Sequence, residues 1–250
     1  MKLLIALFGM TMAGMLFITN IAYGQGPAIQ RRTIDDLQQE MVAKDANQLD
    51  FLVENTLHGS MRRITSEQKD TARYDCVFIV IAGKGESMVG GSRSPLQKGA
   101  ILYIPKGADC RWYNITDPLW VMQWCSLGER KSMKTPVTGA EAAAFTLEGV
   151  GKARVAGGNV WNAFVRRPSM VFGLYMLPAS VGGDSALTHQ WDEINLITAG
   201  KGKFQVGEEV MDVGPGDIVY VRKGNPHYFH SLNGDLDILI FFEMASMAGR

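Results

Sequence analysis

Short apolar runs broken by Gly, Pro, Asn and Asp clusters dominate this chain, and that pattern predicts strands. Val77 to Ile81 and Ile101 to Ile104 are such runs, as are Ile194 to Thr198, Ile218 to Val221 and Leu236 to Phe242. Ser231-Leu232-Asn233-Gly234-Asp235 sets an Asn-Gly turn between two strand-like runs, a strong hairpin signal. Two stretches read differently. Thr33 to Lys44 carries Ile34, Leu37, Met41 and Val42 at helical spacing behind Thr33 as N-cap. Ala140 to Leu147 is Ala-rich enough to predict one short helix.

The opening residues stand apart. From Leu3 to Ile18, after Lys2, the chain has no charge and is rich in Leu, Ile, Met and Phe. That length suits the apolar part of an export signal and falls short of the roughly 20 residues of a membrane span. Ala22-Tyr23-Gly24 supplies small residues at the positions a signal peptidase reads, so cleavage is expected before Gln25. A retained anchor is the alternative. The expected location is periplasmic or secreted, with no stable membrane anchor.

The strand pattern repeats. Ala82-Gly83-Lys84-Gly85, followed by Val89-Gly90, recurs as Ala199-Gly200-Lys201-Gly202, followed by Val206-Gly207, a shift of 117 residues. At the same shift Gly99-Ala100-Ile101-Leu102-Tyr103-Ile104-Pro105-Lys106-Gly107 aligns with Gly216-Asp217-Ile218-Val219-Tyr220-Val221-Arg222-Lys223-Gly224. Two motifs holding one ungapped register define a duplicated domain. The expected organisation is a signal peptide over 1–24, a first domain over 25–128, a linker over 129–150 and a second domain over 151–250. The Thr33–Lys44 helix is expected to pack on the first domain.

Composition narrows the function classes. With 25 basic and 25 acidic residues the chain carries no basic field for nucleic acid or anionic lipid. Arg130, Lys131 and Lys134 cluster in the linker, where solvation explains them. Cys76, Cys110 and Cys125 are too few for a disulfide scaffold and allow at most one internal pair. Asn114-Ile115-Thr116 is a glycosylation sequon only on a eukaryotic secretory route.

The duplicated motifs resemble those of the cupin superfamily, and the resemblance covers nearly the whole chain after the leader. The family's second motif is Gly, five residues, Pro, one residue, Gly, two residues, His, three residues, Asn. The first copy matches with Gly99, Pro105, Gly107 and Asn114 and has Cys110 for His; the second has Gly216, Gly224 and His227, with Arg222 for Pro and Ser231 for Asn. The first motif ends in His, one residue, His, three residues, Glu, six residues, Gly. Anchored on Gly200, the second copy places Glu193 and His189 correctly and Leu187 at the first His. Anchored on Gly83, the first copy has Asp70, Ala72 and Cys76, so its ligand set is gone. The resemblance implies an all-β bicupin: two tandem double-stranded β-helix (jelly-roll) barrels with a short N-terminal helix.

Strand parity then makes the spacing chemical. Leu187, His189 and Glu193 share one face of an unbroken strand, and His227, after a Gly-marked turn, can meet them inside the barrel. Two imidazoles and a carboxylate suit Fe, Mn, Ni or Zn, so one divalent transition metal per chain is expected on His189, Glu193 and His227. A buried hydrogen-bonded triad is the competing reading. Asn195, on the same face, is a candidate to touch substrate or orient a ligand. Trp191 is either an aromatic wall or core, Leu187 leaves a coordination position or marks a barrel leaving metal behind, and Arg222 either pairs with an anionic substrate or lies on the surface. His58 and His230 are assigned no role. Cys76 and Cys110, at the positions of Glu193 and His227, are expected to face each other and form a disulfide, with Cys125 as competing partner and three free thiols as the remaining outcome.

These readings converge on an exported metal-dependent enzyme of dioxygenase, lyase or isomerase type acting on a small molecule. The alternative is a non-catalytic small-molecule-binding cupin. The oligomer is expected to be a monomer or a homodimer.

Overall fold

In the computed structural model the described residues are 29–128, 142–157 and 160–244. The leader and most of the 129–150 linker lie outside them. The first half contains β1 (Ile29–Thr33), α1 (Ile34–Ala43), β2 (Gln48–Val53), β3 (Leu57–Ile64), β4 (Gln68–Thr71), β5 (Asp75–Val89), β6 (Ser92–Leu96), β7 (Ala100–Ile104) and β8 (Asp109–Ser126). The second contains β9 (Ala143–Thr146), α2 (Leu147–Gly157), β10 (Trp161–Arg166), β11 (Met170–Leu177), β12 (Glu193–Val206), β13 (Glu209–Val213), β14 (Asp217–Val221) and β15 (His227–Glu243). The fold is all-β, as expected.

The strands form two barrel-like sheets. One runs β2-β3-β8-β5-β7-β9 with β4 on β8 and β6 on β5; the other runs β1-β14-β12-β15-β11-β10 with β13 on β12. The 117-residue shift holds in the pairing itself. Cys76 opposes Cys125 as Glu193 opposes Phe242, and Val89 opposes Cys110 as Val206 opposes His227.

The apolar runs are continuous because both faces of these strands are covered. In β7, Leu102 and Ile104 fill the first barrel while Ile101 and Tyr103 enter the core between the barrels. Val219 and Val221 of β14 fill the second barrel, and Ile218 and Tyr220 join that same shared core. Trp124 seals the contact, edge-on to Phe172 at 5.9 Å and to Phe241 at 6.2 Å. Burial on this scale, at about 25 cal/mol per Å² of apolar surface, makes the two barrels one structural unit.

The barrels also exchange strands. β1 pairs with β14 of the second barrel, and β9 pairs with β7 of the first. Both exchanged strands lead into a helix in the same way. Thr33 Oγ1 accepts from Asp36 N–H, and Thr146 Oγ1 accepts from Gly149 N–H, each at 3.0 Å. Ile34 N–H donates to Gly216 O (2.9 Å) and Leu147 N–H to Gly99 O (2.8 Å), at equivalent glycines. The N-cap on Thr33 is therefore as expected, and Leu37 and Met41 bury α1 in the shared core.

Two expectations need correction here. The Ala-rich stretch to Leu147 is strand from Ala143 to Thr146, because edge pairing with β7 overrides Ala helix propensity, and the helix begins only at Leu147. The 129–150 segment is consequently not all linker, since β9 within it pairs into the sheet of the first barrel.

Candidate metal centre

β12 enters the second barrel at Glu193, which sits directly across from Val221 on one side and Phe242 on the other. Alternation puts Glu193, Asn195 and Ile197 inside and Ile194 and Leu196 outside. The chain before Glu193 is not an unbroken strand. It is a loop carrying an isolated pair of residues, Leu187 and His227, that exchange two backbone hydrogen bonds of 2.9 Å. That pairing, with Gly224 N–H donating to His189 O at 2.9 Å, fixes the loop against the start of β15.

The three expected ligands meet. His227 Nε2 lies 3.0 Å from Glu193 Oε1, His189 Nε2 lies 3.7 Å from Glu193 Oε2, and one ligand atom from each residue falls within 4.8 Å of the others. Asn195 donates to Glu193 Oε1 at 2.9 Å. His227 Nδ1 sits 2.9 Å from Asn225 O, which turns Nε2 toward Glu193. Glu193 is 1 % exposed, yet its Oε2 has no hydrogen-bond partner among the described residues. An ionised carboxylate oxygen left bare in a buried site is costly unless a cation meets it.

The two imidazoles are pulled in opposite directions. Burial draws His189 below the usual histidine range, and the nearby His227 adds to this against the pull of Glu193. Burial also acts on His227, but the hydrogen bond and charge of Glu193 together outweigh it and hold that ring above the usual range.

The remaining candidates divide. Trp191 stacks beside His189 (centroids 6.0 Å, 23° between planes) and meets Phe242 edge-on. Leu187 is half exposed. As the direct cross-strand partner of His227 it shares that residue's face, at the mouth of the site. Arg222 is part of neither the ligand group nor an open surface, because its guanidinium meets Glu54 of the other barrel at 3.3 Å. Sequence reasoning missed Phe242, whose ring lies 5.0 Å from His189, and Asp184, which accepts from Phe229 N–H at 2.6 Å and from Tyr175 Oη at 3.3 Å. The Phe242 position was legible: it is the 117-residue counterpart of Cys125.

The disulfide expectation is also corrected. Cys76 pairs with Cys125, and Cys110 is a free, buried thiol. Glu193 and His227 bridge the barrel interior with long side chains, and cysteines at those positions are too short to do so. Cys76 and Cys125 instead face each other across adjacent strands, with Cα atoms 4.1 Å apart.

Comparison with known proteins agrees with this fold. A family model described as a cupin domain matches residues 174–242. An uncharacterized protein of Streptomyces coelicolor is 35 % identical over 99 residues, covering 40 % of this chain and 93 % of that protein. The salicylate 1,2-dioxygenase of Pseudaminobacter salicylatoxidans superposes with a TM-score of 0.68 at 11 % identity, over 88 % of this chain and 85 % of that one. A Cupin 2 conserved barrel domain protein from Leptotrichia buccalis gives a TM-score of 0.59 at 14 % identity, over 78 % and 88 %. Residues 174–242 thus match a cupin domain, and the chain as a whole has the fold of these cupin-like structures.

Proposed function

We propose that this chain is an exported bicupin whose second barrel holds one divalent transition metal, Fe, Mn, Ni or Zn, on His189, Glu193 and His227, and acts there on a small molecule. The observation that carries the reading is the convergence of three ligand atoms around a buried carboxylate whose Oε2 accepts no hydrogen bond. The donor set fits a first-row ion, and three protein ligands leave positions open to substrate. Bound there, such an ion supplies Lewis-acid polarisation of a substrate oxygen or a site for dioxygen.

The chain's own residues define what surrounds it. Asn195 holds the Glu193 carboxylate, Asn225 O fixes the His227 ring, and the rings of Trp191 and Phe242 pack beside His189. Similarity to a salicylate 1,2-dioxygenase, one structure of which carries gentisate, favours dioxygenase-type chemistry over lyase or isomerase chemistry. The fold alone supports all three. Export is favoured by the 1–24 leader and by the Cys76–Cys125 disulfide, a bond kept in oxidising compartments.

Metal content decides the reading. Untagged protein expressed with metal should hold one ion per chain, and His227→Ala should lose most of it, since two ligands rarely hold such an ion against buffer. Wild-type protein without metal would overturn the enzyme reading in favour of a non-catalytic binding cup.

A further inference from the structure

The first barrel has lost its ligand set but not its cavity. About 460 Å³ of space opens where the metal centre lies in the second barrel, a volume typical of small-molecule sites. Its floor is apolar: Phe78, Ile104 and Trp112 surround the Cys76–Cys125 disulfide. Ala72, Cys76 and Cys110 stand where the second barrel has His189, Glu193 and His227, and among the described residues the His189 group is the one cluster of three that could hold a metal.

The polar groups above that floor are mainly donors. Asp70, the one carboxylate on the wall, is already engaged: its Oδ2 accepts from Arg62 Nη2 at 2.8 Å, Trp112 Nε1 at 2.9 Å and Gln68 Nε2 at 3.4 Å. That leaves further N–H groups of the Arg62 fork and the exposed Arg73 at the mouth, the Gln123 amide being turned to the disulfide with Nε2 3.1 Å from Cys125 Sγ. Among the lining residues two guanidinium groups stand against one carboxylate. His58, on the same wall, faces Asp50 at 3.1 Å, so that its imidazole is already engaged.

We infer that the first barrel is a metal-independent binding site for a small organic acid. The apolar body packs on Trp112, Phe78 and the disulfide, and the carboxylate meets Arg62 and Arg73 at the wall and mouth. Arg is suited to this because its fork can hold Asp70 with some N–H groups and a ligand carboxylate with others. The site is separate from the centre under Proposed function, with which it shares no residue.

The test is calorimetric titration of the full chain with phenylacetate and with phenylacetamide, its uncharged counterpart of nearly equal size. Phenylacetate should bind saturably and the amide at least about tenfold more weakly, the factor expected for loss of a charge-assisted contact. Arg62→Met and Arg73→Glu should each weaken phenylacetate about tenfold or more, and His227→Ala should leave it unchanged. Should Arg62→Met fail to fold, Arg73→Glu carries the test, because that side chain is exposed at the mouth. No saturable binding, equal binding of the amide, binding insensitive to Arg73→Glu, or binding abolished by His227→Ala would each overturn the inference. The last outcome would move the ligand to the second barrel without touching its metal.

Discussion

Replacing Leu187 by His asks whether the second barrel is a metal site with one protein ligand fewer than its family pattern. Leu187 and His227 form a mutually hydrogen-bonded cross-strand pair, so their Cα atoms are about 5.5 Å apart and their side chains leave the same face. A histidine at 187 thus sits beside the existing ligands without any change of register. Its cost is small. Full burial of a Leu side chain is worth about 1.5 to 3 kcal/mol, and at 46 % exposure roughly half of that is at stake, offset by the apolar part of the new ring. The metal-free variant should lose about 0.5 to 1 kcal/mol, or about 1 to 4 °C in Tm for a chain of this size. A fourth ligand that tightens binding tenfold adds about 1.4 kcal/mol at fixed excess metal, so the metal-induced rise in Tm should exceed the wild-type rise by about 3 to 6 °C. Thermal melts of both proteins, chelated and with excess Mn²⁺ or Zn²⁺, provide the four numbers needed. A variant whose metal-induced rise is no larger than that of wild type refutes the reasoning, since it would mean that no ion lies within reach of residue 187.

Two further outcomes follow from the site and the first barrel. Metal binding must displace a proton from His227, whose pKa is raised in the folded protein, so affinity should climb as pH rises through that titration and fall below it; a flat profile from pH 6 to 8 would count against His227 as a ligand. Denatured, unreduced protein should show one reactive thiol and native protein none, because burial pushes Cys110 up to about 12, while Cys76→Ala with Cys125→Ala should cost up to about 4 kcal/mol in urea unfolding for a closed loop of about 49 residues.

Much of the site could be read from spacing because β-structure maps sequence parity onto faces. Once Glu193 was placed inside the barrel by its distance from Gly200, Asn195 followed, and His227 was fixed by the Gly216 and Gly224 frame. His189 was reached differently: its place depends on the loop before β12, which the alternation rule does not describe, and on backbone bonds from Gly224 and His227. The disulfide failed for a reason of length. Equivalent positions are not equivalent distances when Glu and His become Cys, and the decisive contact is the cross-strand neighbour, which is visible only once β5 is known to pair with β8. Arg222 was misjudged because its partner, Glu54, is 168 residues away and belongs to the other barrel. The Ala143–Thr146 strand was hidden by composition, since its pairing partner β7 is supplied by the preceding repeat.

The exchange of β1 and β9 makes the two repeats a dimer written into one chain. A relative such as the Streptomyces coelicolor protein, for which a 99-residue match covers 93 % of the length, is about the size of a single repeat. For separate single-repeat chains, any such exchange would depend on concentration; here the partner is tethered, and dilution cannot remove it. Tethering also releases the repeats from identity. Two copies of one polypeptide must change together, whereas two halves of one polypeptide can differ, so one barrel can give up its ligands and take a disulfide while its neighbour keeps the histidines.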